Sequence, residues 1–93
     1  MSFVVYILEC SDKSLYTGCT KNIKKRLHAH NATKSGAKYT RTRRPVTMVF
    51  SQAFRSFSKA RAREAQIKRM TRPEKLALLL SKKVMHTDSF VAL

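Results

Sequence analysis

Acidic residues are scarce in this chain: five Asp and Glu stand against 20 Lys and Arg, which leaves a formal charge of +15 on 93 residues. Self-repulsion on that scale works against compactness, so a charged surface without a polyanionic partner is a weak reading, and nucleic acid leads the candidate partners. A membrane surface fits less well. Trp is absent, and two of the predicted helices, 21–31 and 59–70, lack the broad Trp, Phe and Leu face that an interfacial helix buries among headgroups. Nor is there a run of about 18 apolar residues able to span a bilayer; the longest, Leu76 to Leu80, reads as the buried side of a helix. With only two Gly and two Pro, nothing in the middle reads as a linker, and a chain of this length supports one core: a domain over 1–83 with a tail over 84–93, frayed or docked. The first residues carry no basic segment ahead of an apolar one and run straight into Glu9, so a secretory signal is not expected and the cytoplasm is. Two cysteines, Cys10 and Cys19, are expected reduced and half-buried. Zinc bound by these with His28 and His30 fails on spacing: the cysteines are nine positions apart, and histidines at i,i+2 point to different sides of a helix.

What is present has a clear order. Phe3 to Cys10 is rich in β-branched and aromatic residues and reads as a strand, Ser11-Asp12-Lys13-Ser14 as a turn, and Leu15 to Cys19 as the returning strand. Thr20 to Asn22 can cap a helix that runs to about Asn31 with Ile23 and Leu27 inward. From 33 to 45 the chain is polar and basic (Lys34, Lys38, Arg41, Arg43, Arg44), with the composition of an exposed phosphate-contacting loop. Val46 to Gln52 reads as a third strand, Ser58 as the N-cap of a helix through Met70, and Thr71-x-x-Glu74 as the capping box of a last helix that turns Leu76, Leu79 and Leu80 inward. The expected order is ββαβαα, an α+β fold.

Within that frame a few side chains carry chemistry. Arg26 and His30 share one helix face at i,i+4, away from the Ile23 and Leu27 side. Glu64 falls on the apolar stripe Ala60, Glu64, Ile67, Met70, and an acid there has two readings. It pairs with Lys68 or Arg61, or it is the single carboxylate that Mg²⁺ needs when waters and phosphate oxygens supply the other ligands. Tyr6 and Tyr16 are, one by one, ordinary strand aromatics.

Taken together the chain resembles the GIY-YIG nuclease domain over about residues 3 to 80, and most closely its small stand-alone bacterial members. Val4-Val5-Tyr6 stands for the first motif and Tyr16-Thr17-Gly18 for the second. Lys25-Arg26-Leu27-x-x-His30-Asn31, Ala37-Lys38-Tyr39-Thr40-Arg41 and Glu64-x-x-Ile67-Lys68 follow. The resemblance implies a three-stranded antiparallel sheet flanked by helices and metal-dependent phosphodiester hydrolysis. It implies that Tyr6 deprotonates or aligns the attacking water and that Tyr16 is the second phenol of the pocket. Arg26 then faces the scissile phosphate, His30 accepts or relays a proton, and Glu64 holds one Mg²⁺ or Mn²⁺. Gly18 would let backbone or substrate approach closely. Lys24, Lys25, Lys34, Lys38, Arg41, Arg43, Arg44 and Lys68 are the expected nucleic-acid contacts, with DNA preferred over RNA.

Some of the pattern is missing. The first motif lacks its glycine and isoleucine, Thr17 replaces an isoleucine, and the late asparagine of some members has no counterpart around Arg72-Pro73-Glu74-Lys75. Weak catalysis is therefore an expectation, and a basic nucleic-acid-binding module on the same fold is the rival. Sequence-selective cutting would need a second copy or a protein partner. An RNA or ribosome-associated role has less support, because neither an RNP-like aromatic string nor a GXXG loop occurs.

Overall fold

Seven consecutive residues, Phe3–Glu9, form β1, and their near-unbroken apolar character has a simple cause: the strand is central and covered on both faces. A computed structural model describes residues 2–32 and 38–81. In it β1 pairs antiparallel with β2 (Leu15–Thr20) on one edge and with β3 (Thr47–Phe54) on the other, giving the order β2-β1-β3. Side chains alternate across the sheet. Val5 and Ile7 join Phe50, Ala60, Ile67 and Leu79 in one core, while Tyr6, Leu8 and Cys10 join Val46 in another, with Tyr16, Ile23 and Leu27 packed against it.

The hairpin joining β1 to β2 is held by an acid in its turn. Asp12 accepts from the Ser14 backbone N–H at 3.0 Å and from the Ser14 hydroxyl at 2.5 Å, while Lys13 takes a left-handed φ of 69°. These hydrogen bonds, with Arg43 nearby, hold the Asp12 carboxyl below its ordinary range.

Helix α1 spans Ile23–Ala32 and is capped by Asn22, whose Oδ1 accepts from the Lys25 N–H at 3.1 Å. A short helix α2, Lys38–Arg41, lies where the sequence suggested only loop, so the order gains one helix; four residues are too few for periodicity to register. Helix α3 is Phe57–Lys68, and its N-cap is Ser56, not Ser58. Ser56 has the extended backbone (φ −101°, ψ 130°) a cap requires and accepts from the Lys59 N–H, whereas Ser58 already lies in the first turn. The last helix, α4 over 72–81, opens with the expected capping box: Thr71 N–H donates to Glu74 Oε1 at 2.8 Å, and Glu74 N–H to Thr71 Oγ1 at 3.4 Å.

On α4 the inward leucines differ from expectation. Leu79 is buried and Leu78 packs on the core, but Leu76 and Leu80 are 43% and 64% exposed and border a groove of about 270 Å³ with Glu9 and Val49. An apolar run of five wraps around a helix, and only one side of that helix can meet a sheet of three strands. Residues 84–93, along with Lys34, lie outside the described residues. Cys10 is buried, Cys19 half-buried, and both are unpaired by disulfide.

Candidate active site

Register places the two phenols. Tyr6 is opposite Gly18 in the β1–β2 ladder and Tyr16 opposite Leu8, so Tyr6, Gly18, Leu8 and Tyr16 occupy the sheet face that α1 covers. The Tyr6 ring lies over Gly18. A Cβ built there would collide with the Tyr6 hydroxyl and come 2.6 Å from its Cζ. The glycine of the second motif is thus needed for the phenol itself, more than for an approaching substrate, and its φ is not left-handed.

Helix α1 brings the other two members. His30 is completely buried, with Nε2 2.9 Å from the Tyr6 hydroxyl and Nδ1 2.8 Å from Thr40 Oγ1. Its ring packs edge-on to Tyr6 and Tyr16, centroids 5.8 and 5.1 Å away. Arg26, one turn earlier, hydrogen-bonds both phenols. The i,i+4 face expected for Arg26 and His30 therefore does converge, although it is not separate from the Ile23 and Leu27 side: those residues pack against the cluster that contains Tyr6.

Electrostatics at the site have identifiable causes. Burial pushes the Tyr6 phenol above its ordinary range, the Arg26 hydrogen bond opposes this, and the charges of Tyr16 and Glu64 add to the rise. Arg26 is held more firmly protonated, chiefly by its bond to Tyr6. Burial is also the main reason His30 drops from 6.5 to about 4, with the Arg26 and Arg44 charges adding to it, so the imidazole is neutral near pH 7.

Glu64 lies on the buried stripe of α3 as expected, 5% exposed between Ala60 and Ile67. Of the two readings of this acid, the ion pairs with Arg61 and Lys68 are the one the structure shows. Its Oε1 is 2.9 Å from Arg61 and its Oε2 3.0 Å from Lys68, yet its charge is felt at Tyr6 and at Cys19, whose thiol is raised by burial first and Glu64 second. A carboxylate offers about four lone-pair positions, so one cation per oxygen does not exhaust its acceptors. Mg²⁺ takes one or two carboxylates and fills its remaining positions with water and phosphate oxygens. The donor chemistry at Glu64 fits that pattern.

The expected nucleic-acid contacts divide into two groups. Lys25 joins Lys21, Thr20, Asn22, Arg26 and Ala29 around an open cavity of about 220 Å³, and Lys24 and Arg41 are exposed. Others are engaged within the protein. Arg43 pairs with Asp12 at 3.0 Å, donates to the Tyr39 carbonyl at 2.9 Å and covers the Tyr39 ring at 4.1 Å. Arg44 donates to the carbonyls of His30 (2.6 Å) and Ala29 (3.3 Å), and Lys68 holds Glu64. Lys38 begins α2.

Three participants were missed from sequence. Thr40 touches His30, Tyr39 stacks on Tyr16 with centroids 6.0 Å apart, and Asn31 pins the C-terminal turn of α1 by a two-point bond to the Val46 backbone, at 2.8 and 3.1 Å. Tyr39 and Thr40 sit in the Ala37-Lys38-Tyr39-Thr40-Arg41 string, which was the available signal. It did not disclose these contacts because the partners lie 10 or more positions away.

Comparison with known proteins gives matches over most of the chain. The family model described as the GIY-YIG catalytic domain matches residues 2–77. A UPF0213 protein of Syntrophus aciditrophicus is 61% identical over 75 residues, covering 81% of this chain and 86% of its own, and one of Staphylococcus haemolyticus is 52% identical over 75 residues, covering 81% and 90%. Among solved structures, the solution NMR structure of a UPF0213 protein of Bacillus halodurans aligns with a TM-score of 0.60 at 43% identity, covering 88% of this chain and 86% of that one. An E. faecalis protein, also solved by NMR, aligns at 0.63 and 37% identity, covering 90% and 88%.

Proposed function

This chain belongs to the GIY-YIG family, whose catalytic-domain model spans most of its length, and from that premise we propose that it is a metal-dependent endonuclease hydrolysing phosphodiester bonds in nucleic acid, DNA by preference, with little sequence selectivity. The observation that carries the reading is one phenol held between a neutral imidazole and a guanidinium, the arginine also lining an open cavity edged by lysines. The charge of +15 supplies the attraction for the substrate. No helix among the described residues is long and apolar enough to cross a membrane.

In the proposed mechanism Tyr6 accepts a proton from the attacking water as its own proton passes to His30 Nε2. A free phenol near pKa 10 is a poor base, so the acceptor is needed. Arg26 presents a planar fork to charge growing on the non-bridging oxygens. Tyr16 packs against the His30 ring and shares Arg26. Glu64 would hold the Mg²⁺ or Mn²⁺, which when bound supplies Lewis-acid stabilisation of the phosphoryl group and the leaving oxygen. Lys25 and Lys21 would take neighbouring phosphates, with Lys24 and Arg41 as outer contacts.

Labelled duplex, single-stranded and branched DNA, and RNA, incubated with and without Mn²⁺, test the reading. Cleavage is expected with the metal, stops with a chelator, and falls at least roughly a hundredfold in Glu64→Gln and in Arg26→Ala, while binding persists. Full cleavage by either variant would remove the mechanism. The two cations already on Glu64 favour a second reading, a basic binding module without catalysis. That module would bind the same substrates and leave them intact with or without metal.

A further inference from the structure

We propose that Thr40 is a positioning residue that fixes the tautomer of His30, so that Nδ1 carries the hydrogen and Nε2 presents a bare lone pair to Tyr6. The assignment follows from counting donors around one phenol. Arg26 hydrogen-bonds the Tyr6 side chain, and a guanidinium only donates, so the Tyr6 oxygen is the acceptor in that contact. The remaining partner of the Tyr6 hydroxyl is His30 Nε2 at 2.9 Å. A phenol O–H is a stronger donor than a neutral imidazole N–H, and the imidazole nitrogen is the stronger base of the two, so the hydrogen lies on oxygen and points at Nε2. A neutral imidazole has one N–H, which then sits on Nδ1 and donates to Thr40 Oγ1 at 2.8 Å.

That tautomer is the less favoured one for free histidine in water, so the protein must select it. Thr40 is fully buried on α2, and α1 and the segment after α2 are tied together around it. Arg44 grips the His30 carbonyl, and Asn31 brackets the Val46 backbone. The basic stretch around α2 is thus a clamp on the imidazole as well as a charged surface. With the opposite tautomer Nε2–H would face the phenol, and Tyr6 would have no acceptor for its proton.

The tautomer arm of the test does not depend on nuclease activity, whereas the kinetic arm rests on the proposed function, so the two can fail separately. Side-chain ¹H–¹⁵N correlation spectra of uniformly ¹⁵N-labelled protein at pH 7 report which ring nitrogen of each histidine is protonated. His30 is expected to show protonated Nδ1 and unprotonated Nε2. Thr40→Val should move it toward the Nε2-protonated form, and Thr40→Ser should keep the wild-type pattern. Protonated Nε2 in the wild-type protein overturns the proposal whether or not any variant folds, as does an unchanged tautomer in folded Thr40→Val. Under Mn²⁺, Thr40→Val should lower kcat at least roughly tenfold with little change in KM, and Thr40→Ser should restore most of it. Equal losses in both variants would mean the hydroxyl has no such part.

Discussion

At the scale of the residue, Gly18 and Tyr6 form one unit. The glycine needs no unusual backbone angle; it is there because the phenol occupies the space where a Cβ would lie. Tyr6 is buried and bonded at its hydroxyl, so the ring cannot swing aside as the end of a flexible side chain does. Gly18→Ala is therefore expected to destabilise the fold by about 1–3 kcal/mol, as overpacking does, and to lengthen the Tyr6–His30 contact. Urea unfolding read together with the His30 ring signals checks both. A variant as stable as wild type with unchanged His30 signals would show that the ring has room to spare.

Elements were legible in the sequence wherever a period or a cap carried the signal. The β-branched run of β1, the stripe Ala60, Glu64, Ile67 and the Thr71 to Glu74 box each express a local rule, and each is found in place. Where the cap rule pointed to Ser58, the structure puts the N-cap two residues earlier, because Ser56 has the extended backbone angles of a cap and Ser58 already lies within the helix. Ser56→Ala is accordingly expected to cost about 1 kcal/mol of stability and Ser58→Ala no more than about half of that, measured by urea unfolding. The reverse ranking would contradict the observed cap. Helix α2 was not legible at all, being short, basic and aperiodic. The same gap hid the internal work of Arg43 and Arg44. Composition reports that they are charged, while only tertiary structure shows that Asp12, Tyr39 and the end of α1 receive them.

For the whole molecule, the candidate site joins distant stretches of chain: two strands give the phenols, one helix the arginine and histidine, and a short helix the threonine. Tyr6, Tyr16, Arg26 and His30 were readable because their combined order resembles a family pattern, whereas the Thr40 contact depended on how the chain returns after α1. Burying a neutral imidazole has a global consequence. Unfolded, His30 titrates near its ordinary 6.5; folded, near 4. Above pH 6.5 its contribution to stability is complete. As pH falls through the window from 6.5 to 4 the unfolded chain takes up a proton that the folded one does not, and about 3 kcal/mol is lost. Unfolding free energies of wild type measured across that window should fall more steeply than those of His30→Gln, and parallel curves would refute the buried neutral histidine.

The central claim is that Tyr6 does chemistry at a phosphodiester and does not merely fill the core. Single-turnover cleavage of labelled DNA under Mn²⁺ by wild type and Tyr6→Phe, with binding measured on the same samples, addresses it most directly. The expected result is a rate at least roughly a hundredfold lower in Tyr6→Phe with an unchanged dissociation constant. A variant that binds and cuts as fast as wild type would contradict it.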